Sequence, residues 1–415
     1  MDSERGSCNK LLMKQLSAAE QAMAGQIDQQ AMLDRTLRWC AINSHTGNLP
    51  GLAEQAQELA TAFSALPGTV ELLAPAPVTA MAADGTLSEQ AHGRHLVLRV
   101  RPDAGRHLLL TGHMDTVYPP DHPFRAGRWL DGEHYNAPGA ADMKGGIAVM
   151  LAALAAFETS AVAATVGYDV LINSDEETGS LSSAALLAQL AQGKLAALTY
   201  EPSARPDGTL AHARGGSGNY SVAITGRSAH AGRNPQDGRN AVVAASALAV
   251  ALHAMRGDDL GINPARINGG SGNNVVPDQA VLRFNIRPQN QDAADWFERN
   301  FNVILHEVEQ EHEVTAHVHG GITRPPKPVD AAAQALFDLV QRTGADLGQH
   351  FGWQPSGGVC DGNNIAACGV PVVDTMGVRG GAIHSPDEYL IAPSLWERAA
   401  LSAVVLHRLA VGELA

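Results

Sequence analysis

Two histidines and several acidic residues, each placed where an apolar run ends or a loop turns, are the part of this sequence equipped for chemistry. The first is His113, in Thr111-Gly112-His113-Met114-Asp115-Thr116, directly after the run His107-Leu108-Leu109-Leu110. A Leu-rich run closing on Thr-Gly reads as a buried strand that delivers its last side chains to one rim of a sheet. On an extended segment His113 and Asp115 face the same way, because strand side chains repeat every second residue. Asp115 can then hold one imidazole nitrogen and leave the other for a metal. Taken alone, the same pair is also what a purely structural histidine produces.

Four more segments carry ligand-type residues. Asp142 lies in Pro138-Gly139-Ala140-Ala141-Asp142-Met143-Lys144-Gly145-Gly146, a Gly-rich turn before a helix, where an N-cap aspartate is the plain alternative. Asn173-Ser174-Asp175-Glu176-Glu177-Thr178-Gly179 follows an apolar strand over 168–172. Consecutive carboxylates at such a place repel one another unless a cation or water satisfies them. Glu201, in Tyr200-Glu201-Pro202-Ser203, and His384, in a Gly/Pro-bounded loop over 381–388, complete the set. Either one alone could be a solvated loop residue. Together, His113, Asp142, Glu177, Glu201 and His384 supply two imidazoles and three carboxylates, a nitrogen and oxygen mix suited to zinc. Two Zn²⁺ against three carboxylates leave a net positive charge that favours a bound hydroxide. Glu176, beside a ligand but pointing elsewhere, is then placed to take the proton from that water.

The elements that must position these residues follow from periodicity. Helical patterns over 27–43 and 51–66 lead, through an Ala/Pro-rich loop, to strands at 95–100 and 107–111. A helix over 144–157, a strand at 168–173, a helix over 181–192 and a strand at 195–200 follow, an alternation that means βαβ units and a largely parallel sheet. The pattern then changes to strand (220–225), helix (239–255), two strands (264–268 and 279–287), helix (293–309) and strand (313–319). That is the order of a ferredoxin-like unit. Glycine-rich flanks at 214–218 and 320–322 read as two hinges, after which a helix (329–344), a strand (370–375) and a helix (393–411) resume the α/β pattern. The expectation is an α/β catalytic domain split over 1–213 and 323–415, with a ferredoxin-like domain inserted at 214–322.

A chain of 415 residues exceeds a single core, and 45% hydrophobic with 17% charged residues describes a globular protein without a disorder signature. A net charge of −14 argues against nucleic acid or an anionic membrane as partner. The cysteines Cys8, Cys40, Cys360 and Cys368 form no C-x-x-C pair, so neither a thiolate zinc site nor a disulfide framework is suggested. Residues 1–5 are charged and unlike a signal peptide, and the apolar stretch 146–157 is too short to span a bilayer. A cytoplasmic location is the expectation.

With GHMDT, ADMKGG, SDEETGS and the late His384 in this order, the sequence resembles the co-catalytic two-zinc metallopeptidase superfamily. That group includes glutamate carboxypeptidase, acetylornithine deacetylase, succinyl-diaminopimelate desuccinylase and the aminoacylases. The resemblance runs from about residue 90 to the end and is nearest the glutamate carboxypeptidase branch. It implies a mixed, mainly parallel central sheet flanked by helices and a ferredoxin-like lid that dimerises. It implies two Zn²⁺ per chain, with Co²⁺ or Mn²⁺ as substitutes: His113 and Glu201 on one, Glu177 and His384 on the other, Asp142 bridging both. Asp115 matches the residue that orients the first histidine, and Glu176 the general base. A cis peptide is implied at Asp142–Met143. Ser228-Ala229-His230-Ala231-Gly232 resembles the lid motif whose histidine reaches into the site of the second subunit of a homodimer. Asn274 and Arg287 match lid residues that hold substrate, and Gly358 lies in what resembles the glycine-rich substrate loop. Arg324 falls where a carboxylate-binding arginine is kept in the carboxypeptidase branch, or is a solvent-facing hinge residue. Glu rather than Asp at position 201 leaves the substrate branch open.

The activity these residues imply is hydrolysis of an amide next to a free carboxylate, on small peptides or N-acyl amino acids. Removal of a short acetyl or succinyl group from an amino acid would use the same chemistry with a different pocket. An inactive ligand-binding relative would be marked by loss of Glu176 or of a metal ligand, and all are present.

Overall fold

The computed structural model describes residues 15–414, so Cys8 and the charged residues 1–5 lie outside the described part. The central sheet has six strands in the order Thr69–Leu73, His95–Val100, Gly167–Asn173, His107–His113, Ala196–Thr199 and Val372–Val373. The last four are mutually parallel and the first two join antiparallel, giving the expected mixed, mainly parallel sheet. The inner strands are buried along almost their whole length, which explains their largely continuous rather than alternating apolar pattern.

Helix Gly145–Glu158 runs against this sheet and against the final helix Ser394–Val411. With the irregular turn before it, the helical run Ala140–Phe157 is long and apolar enough to cross a membrane by length and composition, longer than the stretch singled out from sequence. It is 89% buried inside the fold, as a core helix must be. Gly146 permits this packing, because a Cβ there would stand 2.1 Å from the carbonyl oxygen of Tyr200.

The inserted unit is the expected βαββαβ. Its antiparallel sheet has the order Leu260–Gly269, Gln279–Pro288, Ser217–Thr225 and Thr315–Arg324. Helices Ala241–Ala254 and Gln291–His312 cover one face, sealed by Tyr220, Phe284, Phe297 and Phe301. The other face receives a feature the sequence did not announce. The Ala/Pro-rich stretch contains a hairpin, Val78–Met81 and Leu87–Gln90, that lies across the inserted sheet. Met81 is buried with Ala223 and Val281, and Arg283 donates to the Met81 carbonyl at 2.7 Å. The Gln279 amide donates to the Asp84 carbonyl. The hairpin escaped notice because its apolar partner is supplied from far along the chain.

Other boundaries also differ from the periodicity, and the glycine-rich flank at 320–322, expected as a hinge, lies inside strand Thr315–Arg324. The helical pattern at 27–43 is the helix Gln29–Cys40, preceded by a separate helix, Ala18–Gly25, because Asp28 caps a new start by accepting from Ala31 N–H. Strand Thr69–Leu73, half-exposed at the sheet edge, was not anticipated.

Candidate metal centre

Three parallel neighbours, Gly167–Asn173, His107–His113 and Ala196–Thr199, end on one rim. There they present the Asp175–Glu177 turn, His113 and Glu201, the place where open α/β sheets build sites. Asp142 arrives from the turn before helix Gly145–Glu158, and the Asp142–Met143 peptide is cis. His384 comes from a loop in which it holds a left-handed backbone, φ 61°.

The five candidate ligands fall into two sets, His113 with Asp142 and Glu201, and Asp142 with Glu177 and His384. Within each set the ligand atoms lie within 4.8 Å of one another. Asp142 divides its oxygens between them. Its Oδ1 is 3.0 Å from His113 Nε2, and its Oδ2 is 3.3 Å from His384 Nε2. Glu201 stands 3.7 Å from His113 Nε2, and Glu177 stands 3.2 Å from His384 Nε2. His113 donates from Nδ1 to the Asp115 carbonyl at 2.9 Å, which leaves Nε2 facing the centre.

The electrostatics suit a cation. Burial raises Glu177 to about 7, helped by the charge of Asp142. Asp142 is also penalised by burial, yet hydrogen bonds from His113 and His384 hold it below the usual carboxylate range. His384 is pushed up to about 11 by its contacts with Asp142 and Glu177. Burial opposes a charge on His113, but Glu201, Asp115 and Asp142 together raise it well above the ordinary value. Protons on the imidazoles thus stand where a metal would compensate the carboxylates, and the donor set fits two divalent ions of the zinc type.

The expected role of Asp115 is refined. Its carboxylate is 3.4 Å from His113 Nδ1, farther than its own carbonyl. It accepts instead from Thr46 Oγ1 at 2.7 Å and from the backbone N–H groups of Glu176 and Glu177, both at 3.2 Å. Asp115 therefore fixes the acidic turn as well as the histidine.

Arg324 is not a solvent-facing hinge residue. It is 2% exposed, and its guanidinium donates to Glu176 Oε1 (2.8 Å), Asp361 Oδ1 (2.5 Å), Asn364 Oδ1 (2.7 Å) and Ser180 Oγ (2.7 Å). Burial raises Glu176 well above the ordinary value, against the pull of Arg324.

A cavity of about 660 Å³ opens over Asp142, Glu176, Glu177, Glu201 and His384, and Gly358 lines its far wall. His230, Asn274 and Arg287 are not among its lining residues. His230 is exposed in the inserted unit, with Nδ1 accepting from the N–H groups of Gly232 and Arg233 at 3.1 Å, so its Nε2 carries the proton. Asn274 lies beside it, its carbonyl accepting from Ala231 N–H at 2.9 Å. Arg287 is exposed and donates to Asn285 at 2.9 Å.

Sequence reasoning passed over two buried groups. Arg214 donates to both oxygens of Asp374 and to the Gly358 carbonyl, forming one wall of the cavity. Glu388, fully buried, accepts from the N–H groups of Gly139, Ala141 and Asp142 and from Tyr118 Oη. Its position four residues past His384 was the one signal available.

Residues 109–408 match the family described as Peptidase family M20/M25/M40. The chain belongs to this family. Carboxypeptidase G2 from Pseudomonas sp. (strain RS-16) is 31% identical over 331 residues, covering 77% of this chain and 78% of that protein. Succinyl-diaminopimelate desuccinylase from Psychrobacter arcticus is 28% identical over 353 residues, covering 77% and 83%. Aminopeptidase PepT from Bacillus cereus shares the fold with a TM-score of 0.68 at 21% identity, over 92% of this chain and 99% of that one. As an M20 member with two metal-capable triads, the protein is a metallohydrolase.

Proposed function

We propose that this M20 enzyme is a two-zinc hydrolase of amide bonds next to a free carboxylate, acting on small peptides or N-acyl amino acids in the manner of a carboxypeptidase. The single observation that carries this reading is the division of Asp142 between two ligand sets, Oδ1 toward His113 and Oδ2 toward His384, beside the carboxyl group of Glu176. His113 and Glu201 would hold one ion, Glu177 and His384 the other, with Asp142 shared. Two such ions, when bound, would supply polarisation of an amide carbonyl and a lowered pKa for water.

The chain's own residues do the rest. Glu176, held by Arg324 and by the turn anchored on Asp115, takes the water proton and passes it to the leaving amine. His230 presents an Nε2–H donor but does not line its own cavity, which supports its serving the site of a second copy. The inserted unit offers a surface for that copy. Strand Leu260–Gly269 is a sheet edge, and Val243, Val250, Ile267 and Val275 are exposed apolar residues on the same unit. Asn274, beside His230, and Arg287 would then help to hold substrate. Arg324 is assigned to Glu176 rather than to substrate.

Similarity to carboxypeptidase G2 supports the carboxypeptidase reading; similarity to the desuccinylases supports deacylation of a short N-acyl group as a second one. A panel of dipeptides, N-acyl glutamates, N-acetyl and N-succinyl amino acids, offered to zinc-, cobalt- and manganese-loaded protein, separates them. Cleavage confined to acetyl or succinyl groups would overturn the carboxypeptidase assignment. Glu176→Gln should keep about two ions per chain and lose turnover by roughly 10²–10⁴-fold. Retained turnover would remove Glu176 from the role of base.

A further inference from the structure

Glu388 is the point at which three ligand-bearing segments meet. Its Oε1 accepts from Ala141 N–H at 3.0 Å and Asp142 N–H at 3.1 Å. Its Oε2 accepts from Gly139 N–H at 3.2 Å and from Tyr118 Oη at 2.7 Å. The first three donors belong to the turn that carries Asp142. Tyr118 lies three residues past Asp115, and its hydroxyl is also 2.9 Å from the Ser385 carbonyl, next to His384. Asn136 secures the same loop by donating to the carbonyls of Pro386 and Glu388.

A backbone N–H can only donate, so each oxygen of Glu388 must accept from at least one of them. Four hydrogen bonds on one buried carboxyl group form a knot, and releasing any of its three backbone donors would leave a buried N–H without that partner. The knot lies directly behind the shared ligand and in the loop of the second histidine.

We infer that Glu388 is a positioning residue for the metal centre: through the Asp142 turn and the 384–388 loop it sets the geometry of the ion held by Asp142, Glu177 and His384. This rests on the two-metal reading above. Groups that orient metal ligands typically change metal affinity 10–100-fold when they are altered.

The side chain's surroundings dictate the test. Glu388→Gln keeps the size, but its amide must turn one N–H₂ toward a backbone N–H. With Oε1 kept on Ala141 and Asp142, that amide faces Gly139. Tyr118→Phe is the milder probe, removing one donor from the same carboxylate. Both full-length proteins are titrated with Zn²⁺ against a chromogenic chelator and examined by visible absorption after loading with Co²⁺. In Glu388→Gln one of the two ions should bind about 10–100-fold more weakly, with a changed cobalt spectrum for that ion. Tyr118→Phe should weaken the same ion to a smaller degree.

Two ions at wild-type affinity with an unchanged spectrum in Glu388→Gln would overturn the inference. If that variant does not fold, unchanged affinity and spectrum in Tyr118→Phe overturn it. A wild-type chain that fails to take two ions would instead refute the metal reading, so the two failures are distinct.

Discussion

At the scale of single residues, the centre is a set of carboxylates whose charges are kept apart by deliberate contacts. Arg324 has the most informative one, because it pairs with the residue assigned as base. A neighbouring cation favours the ionised carboxylate, so Arg324 opposes the upward push that burial gives Glu176. Removing it should raise Glu176 further. In Arg324→Met the acidic limb of kcat/KM is expected to move to higher pH, whereas Arg324→Lys should move it less; an unmoved limb would separate the two residues. Because Asp361 also loses its partner, Arg324→Met should cost about 3–5 kcal/mol in chemical denaturation. The ligands were legible in the sequence since each follows an apolar strand or a glycine-rich turn that announces its own position. Arg324 and Glu388 were not. Whether a charged residue faces water or a buried partner depends on groups such as Asp361 or Gly139, which no local pattern connects to them.

At the scale of elements, the strand ends bring the ligands to one rim, and the crossing into the inserted unit is held by buried charge. Arg214 and Lys327 exchange backbone hydrogen bonds where the two connections run side by side, and both donate to Asp374. Burial works against that carboxylate, yet the two cations hold it at about 2. A carboxylate depressed on folding contributes stability above its unfolded pKa of about 3.9 and loses it as pH falls toward the folded value. The crossing should therefore stay intact through mild acid. Asp374→Asn would leave two buried cations uncompensated and should cost about 3–5 kcal/mol, read as a lower denaturant midpoint with an unchanged slope. Loss under 1 kcal/mol would show that the cations find other partners. The alternation of strands and helices was readable because both periods repeat along the chain. The hairpin Val78–Gln90 was not, as its burial comes from Ala223 and Val281 on another sheet.

At the scale of the whole molecule, the proposed pairing of two copies makes one chain's lid part of another chain's site. Mixing His230→Ala with Glu176→Gln protein, unfolding briefly and reassembling, should restore activity that neither has alone, toward about a quarter of wild type when half the dimers are mixed. Absence of any recovery, with mixed dimers shown to form, would confine catalysis to one chain. The lid itself is not a simple two-hinge flap. The hairpin Val78–Gln90 springs from the larger unit but rests on the lid's sheet, through Met81, Arg283 and Gln279. Any swing of the lid must either carry this third tether along as a passenger or strip it away and wet the methionine beneath.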